Sequence, residues 1–197
     1  MLDIATSAGQ WIFDPRGVVS VESQPLSERR TSLVGLRLGI LNNSKWDANK
    51  LSRCAAAALG AKTELVVVNY YVKKTWVLNH ASVEMTEEIA RCNDIVLTAI
   101  GDCGSCCSCC IRNTVALEGL GIPTALIITT EYVNETHLTR AAIEMRELRP
   151  VVIGRTVSSI TKEEAAQRVA VIQVQAREVW LGMRLGIETR GLTYPMG

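Results

Sequence analysis

The chain has 197 residues, of which 48% are hydrophobic, and a formal net charge of +1. That length buries a substantial core without disulfide staples, and a near-neutral charge with no basic stripe or acidic tract argues against a nucleic-acid binder. Two widely separated histidines argue against a histidine-based zinc enzyme, and no apolar run reaches the ~18–20 residues needed to span a membrane.

Residues 1–33 mix Pro15-Arg16-Gly17, Ser23-Gln24-Pro25 and Ser27-Glu28-Arg29-Arg30 without a clean period. They read as an N-terminal arm with a short strand near Gly17 to Val21, of the kind that often wraps a partner subunit. Leu36 to Leu41 is a strand-like run. Residues Asp47 to Leu59 follow with apolar positions Leu51, Cys54, Ala55, Ala58 and Leu59 at helical spacing, and Gly60 is the expected stop. Leu65 to Tyr71 is β-branched and reads as a second, buried strand. Ser82 to Arg91 is a short helix with Ser82 in the cap region, and Asp94 to Ile100 is a third strand.

That third strand runs into Gly101-Asp102-Cys103-Gly104-Ser105-Cys106-Cys107-Ser108-Cys109-Cys110, which holds five of the seven cysteines. A helix is expected over Cys106 to Leu120, a fourth strand over Ile122 to Thr129, a fourth helix over Asn134 to Arg149 and a fifth strand from Pro150 to Gly154. Thr161 and Glu164 form a capping box at the start of a last helix reaching about Gly186, with Val169, Ile172, Ala176, Val179 and Met183 as its apolar stripe. Residues 187–197 read as a C-terminal tail. Strands and helices thus alternate, and the strands are apolar on both faces. This is the pattern of one doubly wound, flavodoxin- or Rossmann-like α/β domain over 1–197, with about five mostly parallel strands covered by helices on both sides. The odd number of cysteines, and an N-terminus without the order of charges and apolar residues of a secretory leader, lead to the expectation of a cytoplasmic protein with reduced thiols. Cys54 and Cys92, on other helices, read as small buried hydrophobes.

In a doubly wound sheet, ligands bind beyond the carboxyl ends of the strands where the winding reverses. The loops after the first strand (Asn42-Asn43-Ser44-Lys45) and the third (Gly101 to Ser105) would meet there, with Thr129, Thr130 and Glu131 at the border. Cys103 and Cys106 would lie at a helix N-terminus, where unpaired N–H groups favour a thiolate, and Lys45 would add positive charge. Cys103-Gly-Ser-Cys106 is a C-x-x-C pair, in which the second thiol can resolve an adduct on the first. The expected catalytic set is Cys103, Cys106 and Lys45. The expected binding set for a small-molecule substrate is Asn43, Asp102, Gly104, Ser105, Thr129 and Thr130.

Cys107, Cys109 and Cys110 leave alternatives open. They pack in the core, or they join Cys103 and Cys106 in holding a metal centre such as zinc, copper, an iron–sulfur cluster, or cobalt or iron. No resident cofactor is expected on the first reading beyond a thiol reductant; the second implies a thiolate-bound metal. A third reading is a non-catalytic subunit of a hetero-oligomer. Homo- or hetero-oligomerisation is expected, with no nucleic acid and no membrane among the partners.

The segments Leu41-Asn42-Asn43-Ser44-Lys45, Gly101-Asp102-Cys103-Gly104-Ser105-Cys106, Glu118 and Gly121-Ile122-Pro123-Thr124, in that order, resemble the UGSC-type family. That family is named for a selenocysteine-or-cysteine, Gly, Ser, Cys motif. More loosely, the chain is similar to the selenoprotein substrate-activating subunits of glycine reductase. The resemblance implies that Cys103 holds the selenocysteine position as the attacking or redox-active atom, that Cys106 is its partner, and that the chemistry is reductive cleavage or thiol transfer. The chain departs from the family pattern at Cys107 to Cys110, where Thr-Ser-Trp is expected. It departs again at Gly154 to Val157, where a His-Pro pair is expected, and this speaks against a histidine-assisted mechanism.

Overall fold

A computed structural model describes residues 3–5, 11–13, 23–43, 46–73 and 80–183. Strands β1 (Asp3–Ala5) and β2 (Trp11–Phe13) pair with each other, antiparallel. The arm therefore contains a short hairpin that its irregular sequence did not announce. The expected strand near Gly17 to Val21 and the tail 187–197 lie outside the described residues.

The main sheet contains β3 (Arg37–Asn42), β4 (Val67–Val72), β5 (Ile95–Gly101), β6 (Thr124–Thr129) and β7 (Pro150–Ile153). All pairings are parallel and the order is β4-β3-β5-β6-β7. The helices between the strands are α1 (Trp46–Thr63), α2 (Val83–Cys92), α3 (Gly104–Gly119), a single 3-10 turn at Thr130–Tyr132 with α4 (Val133–Ala142), and α5 (Lys162–Leu181).

Alternate strand residues feed opposite cores, as a period of two requires. Ile95, Leu97 and Ala99 of β5 and Ala125 and Ile127 of β6 join Leu51, Ala55 and Leu59 of α1 and Ile172, Ala176 and Trp180 of α5. Leu126 and Ile128 of β6 join Cys107, Cys110 and Ile111 of α3, while Val96 of β5 joins Ile89 of α2 and Leu117 of α3. Both faces of the sheet are covered, which gives the doubly wound α/β architecture expected of the sequence.

Several boundaries differ from expectation for local reasons. Helix α1 continues through Gly60 to Thr63, and Glu64 rather than glycine takes the left-handed position, at φ 51°. A helical glycine costs only about 1 kcal/mol against alanine, too little to stop a packed helix. Helix α4 ends at Ala142 instead of Arg149. Glu144 adopts φ 55°, and the bonds from its N–H to the Ala141 carbonyl and from the Met145 N–H to the Arg140 carbonyl make a Schellman close. The turn buries Met145 and Leu148. Helix α5 has its capping box at Thr161 and Glu164, but stops at Gly182, φ 65°, leaving Met183 exposed. Strand β4 was expected to be buried. It is an edge strand with Val67, Tyr70 and Val72 exposed. The arm also serves its own domain. Arg30 donates to the Asp94 carbonyl, and Ser27 and Arg29 bond to Glu118.

Candidate active site

The winding reverses between β3 and β5, so the loops after these strands lie side by side. Asn43, just past β3, joins them: its N–H donates to the Ala99 carbonyl at 2.9 Å and its Nδ2 to the Ile100 carbonyl at 2.7 Å. Its side chain is almost fully buried, and Oδ1 has no hydrogen-bond partner. Ser44 and Lys45 lie outside the described residues, so the expected lysine of the site has no described place.

Strand β5 delivers its end to α3 through Gly101-Asp102-Cys103. A Cβ on Gly101 would stand 2.6 Å from the Cys107 sulfur and 3.1 Å from Ile128 Cγ2. Only glycine lets the first turn of α3 settle this closely on the strand end. Cys103 is then the N-cap of α3, with extended backbone, and its sulfur accepts from the Cys106 N–H at 3.4 Å. Thiol capping replaces the usual hydroxyl or carboxylate at a position where the helix N–H groups need an acceptor.

The Cys103 and Cys106 sulfurs approach to 2.6 Å, with the Ser105 hydroxyl 3.4 Å from Cys103. Cys103 is partly exposed, and Cys106 is fully buried behind it. Asp102 completes the cluster: one ligand atom from each of Asp102, Cys103 and Cys106 falls within 4.8 Å of the others. These groups supply one accessible sulfur, a second sulfur in contact with it, a carboxylate and a hydroxyl. That set suits thiol chemistry, and it would also hold a small thiophilic cation. Thr129 ends β6 fully buried with its Oγ1 unpartnered, while Thr130 is exposed and opens the 3-10 turn. Gly104 brings the start of α3 under the Glu135 carboxylate, whose oxygens would lie 3.4 Å from a Cβ there.

The other three thiols of the run separate by helix face. Cys107 and Cys110 point into the core with Leu126, Ile128 and Leu148. Burial pushes the Cys107 thiol up to about 12, against a smaller opposing effect of the Thr136 hydrogen bond, and burial also drives Cys110 well above its ordinary range. Such thiols stay protonated and inert. Cys109 is buried against Lys73, whose Nζ donates to its sulfur at 2.9 Å. Cys54 corrects the sequence reading: it is exposed on α1, and Cys92 is only partly covered, because helical spacing places Cys54 at the margin of the α1 stripe.

Sequence reasoning gave no role to three groups, the first of which it met only among the residues that carry the family resemblance. Glu118 is one: it is fully buried at the far end of α3, where it accepts from Ser27, Arg29 and the Thr124 N–H and so fastens the arm and β6 to the helix. The others are Lys73, just past the end of β4, and Glu135. No local pattern marks contacts across such sequence distances. A basic residue directly after an apolar strand was the one available signal for Lys73. His80 is exposed beside Arg112. His137 touches Arg140, and both histidines are held below their ordinary range by burial and these guanidinium groups.

The model of the UGSC family matches residues 11–182. No curated protein matches the chain. The family match covers the whole main sheet and the cysteine run, and leaves the looser likeness to glycine reductase subunits without support. Among the described residues, no helix is long and apolar enough to cross a membrane.

Proposed function

The chain belongs to the UGSC family, and on that premise we propose that it is a thiol-dependent enzyme, or the catalytic subunit of one, acting on a small molecule by reductive cleavage or thiol transfer. The observation that carries this reading is the difference in exposure within one touching pair: Cys103 is partly exposed, and Cys106 is buried 2.6 Å behind it. An accessible sulfur capped by a helix N–H is suited to attack, and a covered sulfur in contact with it is suited to resolve the adduct.

For a substrate R–X, the Cys103 thiolate attacks R. The R–X bond breaks, and X departs with the electron pair and takes up a proton. Cys106 then attacks the Cys103 sulfur. The S–R bond breaks toward R, which leaves with that pair and receives the second proton. The products are R–H, H–X and a Cys103–Cys106 disulfide: the substrate gains two electrons and the thiols lose them. A dithiol reductant restores the pair. Asp102 and the Ser105 hydroxyl border the reacting sulfur and are placed to handle these protons. Asn43 Oδ1 and Thr129 Oγ1 are the free polar atoms at the neighbouring strand ends. Lys45 keeps a role only through its sequence position after β3.

A small aromatic disulfide tests the scheme. The native protein is expected to release two equivalents of aromatic thiol, the second as the Cys103–Cys106 disulfide closes. Cys106→Ser should stop at one equivalent, held as a mixed disulfide on Cys103. Rapid release of both equivalents from Cys106→Ser would overturn the scheme.

One observation favours a second reading. Asp102, Cys103 and Cys106 are close enough to share a cation such as zinc, with external ligands completing the shell. Elemental analysis of anaerobically purified protein separates the two: a stoichiometric metal, lost on Cys106→Ser, selects the metal reading, and an active metal-free protein selects the thiol one.

A further inference from the structure

Lys73 and Cys109 form a second constellation, separate from the Cys103–Cys106 pair. Lys73 follows the last residue of β4 and is 4% exposed; Cys109 lies one helical turn beyond Cys106 on α3 and is 1% exposed. Nζ stands 2.9 Å from Sγ. Asn113, one turn further along α3, directs its Nδ2 to the same sulfur at 3.8 Å, and its Oδ1 accepts from the Ala81 N–H. A buried lysine is uncommon unless something holds its amine. Here the polar end meets a nucleophilic atom of a different element, in a place shielded from bulk water.

We propose that this pair is a modification site: an oxidant couples Lys73 and Cys109 through a single oxygen into a covalent Nζ–O–Sγ bridge. The 2.9 Å separation is close to the span of a bridge with one oxygen between nitrogen and sulfur, and well beyond a direct N–S bond. With a peroxide as oxidant the balance is one amine, one thiol and two hydrogen peroxide molecules giving the bridge and three waters. One N–H bond and the S–H bond are lost, N–O and O–S bonds form, the pair is oxidised by four electrons, and each peroxide takes up two. Thiol oxidation by peroxide begins with sulfenic acid, and a nearby nitrogen is a known trap for that state. The bridge would tie the carboxyl end of β4 to the helix that carries Cys103 and Cys106. Oxidation at one point would thereby restrain the reactive end of α3. The site stands on its own residues and does not depend on how Cys103 reacts.

The test uses the full chain carrying Cys103→Ser and Cys106→Ser, so that no disulfide between those two confuses the masses. Treatment with hydrogen peroxide is expected to add one oxygen and remove two hydrogens from the intact mass. Proteolysis should then yield one species joining the Lys73 peptide to the Cys109 peptide, which a thiol reductant separates. Adding Lys73→Arg should abolish the joined species. A product with two hydrogens lost and no oxygen gained, oxidation of Cys109 alone to the same extent with Arg at 73, or an unmodified Cys109 after Cys54 has been oxidised would each overturn the proposal. The joined peptide from the lysine-bearing chain decides the matter even if the arginine variant does not fold.

Discussion

The two ends of α3 handle polar groups in opposite ways. At the far end Glu118 is buried and fully engaged, with Ser27, Arg29 and the Thr124 N–H around its two oxygens. At the near end Cys103 is partly exposed and meets a second sulfur, a hydroxyl and one weakly placed N–H. A group saturated with partners in a dry place has no capacity for a substrate, and its loss is felt as stability. A group left partly open has the capacity and contributes little to folding. Between them, Cys107 and Cys110 show that residue type alone does not decide: the same thiol turned into the core is protonated and packed.

This contrast orders the expected effects. Glu118→Ala leaves Arg29 and two N–H groups without their acceptor, and should cost about 3–5 kcal/mol; a shift in the urea midpoint at unchanged slope measures it. A loss under 1 kcal/mol would erase the distinction between the ends. Cys103→Ser should slow reaction with an aromatic disulfide by roughly a hundredfold, about 2.7 kcal/mol at the barrier, with a melting temperature within about 2 °C of the native chain. A large drop in melting temperature would make Cys103 structural as well. Cys110→Ser places a hydroxyl among apolar side chains of the core, with the Asn43 Nδ2 beside it, and should cost about 1–3 kcal/mol, while Cys103 alkylates as before.

A last effect appears only at high pH. Cys107 titrates near 9.0 when unfolded and at about 12 when buried. Its folded value is raised, so the unfolded chain releases the proton first. Stability from this group is complete below pH 9.0 and declines as pH rises toward 12, by about 1.4 kcal/mol per unit at the steepest. Denaturant titrations across that range should show the decline, and Cys107→Ala should lessen it, leaving the contribution of Cys110, which has the same sign. An unchanged slope in Cys107→Ala would contradict the burial of this thiol.

Much of the fold was legible because its signals are local. The apolar runs at 95–101 and 124–129, the capping box at Thr161 and the thiols directly after a strand each announce themselves within a few residues. The strand order followed from the general behaviour of alternating strands and helices, and it brought Asn43 to the end of β5. What escaped the sequence was set by contacts between distant segments. The exposure of β4 depends on its being last in the sheet, and the early stop of α4 on the burial of Met145 and Leu148. Glu118 meets Ser27 and Arg29 about ninety residues away, and Lys73 meets Cys109 across 36. Even the face chosen by each cysteine depended on where α3 begins. It begins two residues earlier than periodicity indicated, because Cys103 itself caps it.

The most direct test of the central claim is site-resolved alkylation of the native protein by iodoacetamide, followed by mass spectrometry of each cysteine peptide. Cys54 is exposed and distant in role, so it serves as the ordinary thiol in the same molecule. Cys103 is expected to be modified well before Cys54 although it is less exposed, with Cys107 and Cys110 unmodified until the chain unfolds. If Cys54 reacts first and Cys103 lags with the buried thiols, Cys103 is not the activated sulfur and the account fails.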